Sequence, residues 1–176
     1  IKSISGSEHW QMYHHKIGAT KYLELSATAG EASQTNRWND TTPTSTAFTL
    51  GGHTSVNTDG TTYIAYCFTE KVGYSKFGKY YGNNSNDGQF IYTGFKPNFV
   101  MTKNLDTSSN WILFDDSRKT PAYNGNLANS YFYPNVNNAE AYNTSTGFDF
   151  VSNGIKLRNS FQVSNEADNY IYMAFG

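Results

Sequence analysis

The chain has 176 residues, a net charge of −1 and only 15 % charged residues, but 14 Tyr, 12 Phe and 3 Trp. The near-neutral balance leaves no basic footprint for nucleic acid or an anionic membrane surface, and no apolar run approaches bilayer length, so neither nucleic acid nor membrane insertion is expected. A single cysteine excludes an internal disulfide framework.

Aromatic residues suit a pleated, half-buried surface, and Asn, Ser and Gly clusters make turns, so the composition predicts an all-β fold. In chain order, residues 1–5 read as the end of a strand. Glu8–Tyr13 reads as a strand carrying Trp10, Ile17–Thr20 as a turn, and Lys21–Leu25 as a half-buried alternating strand. Residues 26–46 are polar and Thr-rich and predict a long surface loop with Trp38 as its one large apolar group. Phe48–Leu50 predicts a short strand ended by Gly51-Gly52, and Asp59-Gly60 a hairpin-type turn into Tyr63–Phe68. Cys67 lies inside that apolar strand pattern, which predicts a buried, inert thiol.

Further along, Tyr74–Tyr81, Phe90–Tyr92, Phe99–Met101 and Asn110–Phe114 read as strands. Residues 116–146 read as mostly irregular. Phe148–Val151 and Ile155–Arg158 flank Asn153-Gly154, a pair that fits the two positive φ values of a type I′ turn. Tyr170–Phe175 is the last strand. No segment sustains a helical period, and the antiparallel arrangement that fits best is a β-sandwich or jelly roll.

Tyr63–Phe68 returns as Tyr170–Phe175 at an offset of 107, identical at Tyr, Ile and Phe. Upstream of each copy, Lys2, Ser7 and Trp10 match Lys103, Ser108 and Trp111 at an offset of 101. These echoes predict an internal repeat of about a hundred residues, long enough for one small β domain. Residues 1–71 would be a partial first unit and 72–176 a complete second one. Trp10, Tyr63, Phe68, Trp111, Tyr170 and Phe175 are then expected in the cores at equivalent places. The strands of residues 73–101 have no counterpart in the first unit. Either chain upstream of Ile1 or a strand donated by a neighbouring subunit is expected to cover that gap.

The joint order of several motifs resembles the repeat units of structural proteins of tailed bacteriophages, many from marine phages. The stretches are His14–Leu23, Tyr63–Phe68, Gly73–Gly78, Gly94–Pro97, Asn110-Trp111, Asn138–Ala141, Asp149–Arg158 and Tyr170–Phe175. Where that family usually has Thr-Gly-Asn-Gly, this chain has Tyr81–Asn84. The resemblance implies a virion-surface role as tail fibre, spike or capsid decoration, assembled in the host cytoplasm. It also implies a concanavalin-like sandwich, and it carries no catalytic residues or cofactor. The expected partners are other virion proteins, further copies of the chain in a homo-oligomer, and host-surface polysaccharide.

No enzyme is expected. Asp115-Asp116 could suggest the acid pair of a glycan-cleaving enzyme, but neighbours on a strand point to opposite faces, and their repeat counterparts are His14-His15. For the same reason His14 and His15, with His9 or His53, read as solvated polar residues more readily than as metal ligands. Asn83 and Asp87 lie in an oxygen-rich loop that could hold calcium, although a tight turn explains the composition as well. The alternative to a scaffold is a carbohydrate-binding module. Trp38 beside Arg37 and Asn39 could stack on a sugar ring, with Tyr123 and Tyr142 as weaker candidates; the plainer reading makes Trp38 a lid on the sandwich.

Overall fold

The computed structural model describes residues 1–118, 127–143 and 147–176. They form two compact units, Ile1–Phe68 and Thr69–Gly176. All sheets are antiparallel.

The first unit contains β1 (Lys2–Ser3), β2 (Gln11–Met12), β3 (Lys21–Glu24), β4 (Ala32–Ser33), a one-turn helix α1 (Thr54–Asn57) and β5 (Tyr63–Ile64). β1 pairs with β5, and β2, β3 and β4 form a three-stranded sheet. Gln11 N donates to Ile1 O at 2.8 Å, and Ile1 N to Gln11 O at 2.7 Å, which ties β1 to β2. Several expected strands are shorter than their sequence pattern suggested. Phe48–Leu50 forms none, and the residues just after it bond to an irregular segment: Gly51 N reaches Arg37 O and His53 N reaches Asn36 O. A Cβ at Gly51 would lie 2.1 Å from Asn36 O, so only glycine admits that approach. The helix was not anticipated; His53 caps it by accepting a hydrogen bond from Ser55 N at Nδ1. The Asp59-Gly60 turn exists, with Gly60 at φ 70, but β5 leaves it to pair with β1 instead of closing a hairpin.

The second unit contains β6 (Ser75–Tyr81), β7 (Phe90–Tyr92), β8 (Phe99–Asn104), β9 (Ile112–Asp115), β10 (Leu127–Ala128), β11 (Ser130–Phe132), β12 (Ala141–Tyr142), β13 (Phe148–Val151), β14 (Gly154–Leu157) and β15 (Asn169–Phe175). One sheet has the order β12-β11-β9-β8-β15-β6 and the other β10-β13-β14-β7. Their inward residues share one core. Val100, Ile112, Phe114, Tyr170 and Tyr172 from the six-stranded sheet join Ile91, Phe148, Phe150, Ile155 and Leu157 from the four-stranded sheet. The rings of Phe114 and Phe148 approach to 4.4 Å. Tyr80 and Tyr170 stack at 5.0 Å. The buried Tyr170 hydroxyl donates to Gln162 O at 2.7 Å and accepts from Glu166 N and Asn104 Nδ2, so its polar end is satisfied inside the core.

The hairpin of β13 and β14 forms where expected, but its turn is displaced by one residue. Val151 pairs with Gly154, which makes Ser152-Asn153 the loop, and neither Asn153 nor Gly154 has positive φ. Glycine at 154 is demanded by packing: a Cβ there would stand 2.3 Å from Ile91 O and 2.8 Å from the Phe90 ring on β7. Gly154→Val is therefore expected to cost about 2 kcal/mol or more by overpacking. Denaturant titration checks this, and wild-type stability in the variant would contradict it.

The two units share strand registers. In the first, Lys2 pairs with Ile64 and Ser3 with Tyr63; in the second, Lys103 pairs with Ile171 and Asn104 with Tyr170. These are the residues related by the offsets 101 and 107. The next neighbours follow suit. Met12 pairs with Leu23 as Leu113 pairs with Phe132, and Tyr22 with Ala32 as Tyr131 with Ala141. One lysine contact recurs, to the carbonyl of the following residue. Lys2 Nζ donates to Ser3 O and Gly6 O, and Lys103 Nζ to Asn104 O and Ser109 O.

Burial differs between the units. Trp111 and Tyr170 are buried as expected, and Phe175 is half-buried. Trp10 is half-buried, its ring 5.8 Å from Tyr66, and Tyr63 is half-buried as well. Phe68 is 62 % exposed and Cys67 is exposed, against the expectation of a buried thiol. The physical reason is that β5 is two residues long and, among the described residues, is hydrogen-bonded to β1 alone. β15 is seven residues long and lies between β8 and β6.

Candidate functional site

The residues proposed from sequence do not converge on one site. Trp38 is buried in the first unit, 4 % exposed, packed with Ala19 and Val56. Its Nε1 donates to Lys21 O at 2.9 Å, and Tyr13 meets it edge-on at 6.0 Å. Asn39 and Asp40, at φ 52 and 47, turn the chain just after it. No open ring face remains for a sugar, which corrects the adhesive reading of Trp38. Tyr142 sits on β12 at the end of the six-stranded sheet and is 48 % exposed. Tyr123 lies outside the described residues.

The oxygen-rich loop is internally satisfied. Asn83 Oδ1 accepts from Ser85 N and from Asn165 Nδ2, and Asn83 N donates to Asn165 Oδ1. Asp87 pairs with Lys156 at 2.8 Å and with Arg158 at 3.7 Å. The hydrogen bond and charge of Lys156 hold its carboxyl below the usual carboxylate range. Loop oxygens already spent on protein donors leave calcium little to bind. Among the described residues no three His, Cys, Asp or Glu side chains are grouped to hold a metal. His14 is buried, its Nδ1 accepting from Lys16 N, and burial beside Arg37 lowers the pKa of His53. Asp115 pairs with Arg118 at 2.6 Å and Asp116 with Lys96 at 2.9 Å, so each carboxylate serves a separate ion pair.

In the first unit a cleft of about 250 Å³ is lined by Ser5, Ser7, Glu8, Thr54, Thr58 and Tyr63. Its one carboxylate, Glu8, accepts from Ser55 Oγ at 2.7 Å, and the Tyr63 hydroxyl donates to Thr54 O. It is smaller than most ligand pockets, and its one carboxylate is half of the pair that glycoside hydrolysis needs.

The structure assembles a different surface, on the outer face of the four-stranded sheet. Along β7, Ile91 enters the core while Phe90 and Tyr92 face outward, 49 % and 64 % exposed. Register places Lys156 beside Phe90, and Gly154 beside Tyr92, with Asp149 beyond Lys156. Arg158 Nε donates to Asp149 at 2.6 Å. Two aromatic rings on a rigid strand, next to a glycine and a row of fixed charges, can offer a stacking surface with polar groups at its margin. The alternation in Phe90-Ile91-Tyr92 was the one sequence signal for this surface.

Across residues 1–176 the chain matches the family model described as a domain of unknown function, DUF7483. No curated protein and no solved structure matches it.

Proposed function

The chain belongs to the DUF7483 family, and from that premise we propose that it is a non-catalytic structural protein of a bacteriophage virion surface, of the tail-fibre, spike or capsid-decoration kind. The observation that carries this reading is the shared register of the two units, Lys2–Ile64 with Tyr22–Ala32 against Lys103–Ile171 with Tyr131–Ala141. Strand pairing repeated at the offsets seen in the sequence supports an internal repeat built on a β-sandwich. Repeated β modules suit proteins that extend from a surface and work by display. The resemblance of the motif order to phage structural repeats suggests the setting. Antibody labelling of purified particles tests it: gold on tails or capsid faces is the expected result, and particles free of the chain would overturn the reading.

An adhesive role on host polysaccharide is the second part of the proposal, favoured by Phe90 and Tyr92. Glycan arrays are expected to show binding that Tyr92→Ala weakens by about tenfold, the scale of one lost stacking contact. Binding unchanged in Tyr92→Ala and in Phe90→Ala would remove this surface from consideration.

A further inference from the structure

The two units treat the same sheet edge differently. In the second unit the outer side of β15 is filled by β6, which pairs with it along all seven residues. The outer side of β6 is in turn guarded by the segment before it. Glu70 Oε1 accepts from Phe77 N at 3.1 Å, and Lys71 bridges Ser75, donating to Ser75 O and accepting from Ser75 N. Such covering keeps an edge from recruiting another strand.

Among the described residues no strand lies along the corresponding side of β5. Thr62 O and Ile64 face β1, through Ile4 N and Lys2 respectively. Alternation turns the backbone groups of Tyr63 to the other side, and an extended course continued past Ile64, where β5 ends, would turn those of Ala65 and Cys67 the same way. Among the described residues the backbone groups of Ala65 and Cys67 make no hydrogen bond. Tyr63–Phe68 contains no charge, proline or glycine, which is the composition that accepts added strands.

We propose that the open side of Tyr63–Cys67 is an acceptor for an antiparallel strand of the β6 kind, supplied by a neighbouring repeat unit on another polypeptide. The occupant's chemistry follows from the register of β6 on β15. Shifted by 107, a Ser-Lys-Phe-Gly-Lys-Tyr-Tyr segment sets its glycine opposite Ala65, its Phe opposite Tyr66 and its first Tyr opposite Tyr63. Facing aromatic pairs stabilise a sheet, and main-chain bonds to Ala65 and Cys67 supply the affinity. The inference rests on the paired registers and stands apart from the virion assignment, since it is read on the isolated chain.

The test adds a synthetic peptide of residues 74–82 to the full 176-residue chain. Saturable binding is expected, with amide exchange at Ala65 and Cys67 slowed by at least about tenfold and that of Ile64, already paired, changed less. Ala65→Pro removes one donor on the open side without touching the β1 pairing, and is expected to weaken binding at least about tenfold. Should Ala65→Pro fail to fold, a peptide with proline in place of Gly78 makes the same cut from the other partner and is expected to be equally weak. The proposal is overturned if the peptide does not bind, if a scrambled peptide binds equally, or if protection appears on Tyr170–Ala174 through displacement of β6. It is also overturned if the chain pairs with itself through Ala65–Cys67 and the peptide does not compete.

Discussion

Trp38→Ala is expected to unfold or severely weaken the first unit, at a cost of about 3–5 kcal/mol, the range for truncating a buried tryptophan. The indole fills the space between Ala19 and Val56, and its N–H holds the Lys21 carbonyl. Removing it leaves both a cavity and a buried acceptor without its donor. Circular dichroism during denaturant titration, together with amide exchange, checks this. The loss should concentrate in residues 1–68, with protection in the β15 sheet retained. A variant that folds normally and loses only sugar binding would restore the adhesive reading of Trp38.

Stability is expected to rise with pH between about pH 8 and 9.5, and Lys103 is the cause. Lys103 is fully buried on β8, and desolvation lowers its ammonium to a pKa of about 8. In that window the folded chain has released the proton while the unfolded chain, near pKa 10.5, still holds it. The unfolded state binds more protons, so stability increases as pH rises. The Lys103 contribution is about 2 kcal/mol between about pH 7.5 and 9.5. Above about pH 9.5 the sign reverses. Burial raises Tyr172 to about 12 and raises Tyr80, Tyr133 and Tyr170 as well, so the unfolded chain loses tyrosine protons first and stability falls. Denaturant titrations across this range should peak near about pH 9.5 in the wild type. Lys103→Met should flatten the rising limb and leave the falling one. An unchanged rise in Lys103→Met would exclude Lys103 as its source.

What the sequence made legible was regular and local. The Phe-Asp-Phe-Val run and its partner gave the β13–β14 hairpin because alternation fixes which face is buried. The offsets of 101 and 107 were legible because no gap interrupts either window. A further offset, 109, between the pairs Tyr22–Ala32 and Tyr131–Ala141, went unread because loops of different length precede the two strand pairs. The sugar-platform reading of Trp38 arose because its sequence neighbours are polar while its packing partners lie 18 or 19 positions away. Arg37, the strongest of those polar signals, is itself buried: it donates to Gln11, pairs with Glu24 at 3.7 Å and lies 3.5 Å over the Tyr22 ring. The Phe90–Tyr92 surface required knowing that β14 lies beside β7, a long-range pairing that no local pattern carries.

The position of β15 has a consequence for how the chain is made. The strand is the last described in the sequence, yet it lies between β6 and β8, whose residues precede it by some 65 to 100 positions. A ribosome delivers β6 and β8 well before the strand that joins them, so the six-stranded sheet forms only after Tyr170–Phe175 has emerged. Such distant closure makes for slow folding. Until then β6 has the Glu70–Lys71 segment along one side and an unpaired edge along the other, the kind of edge that exposes a folding chain to aggregation.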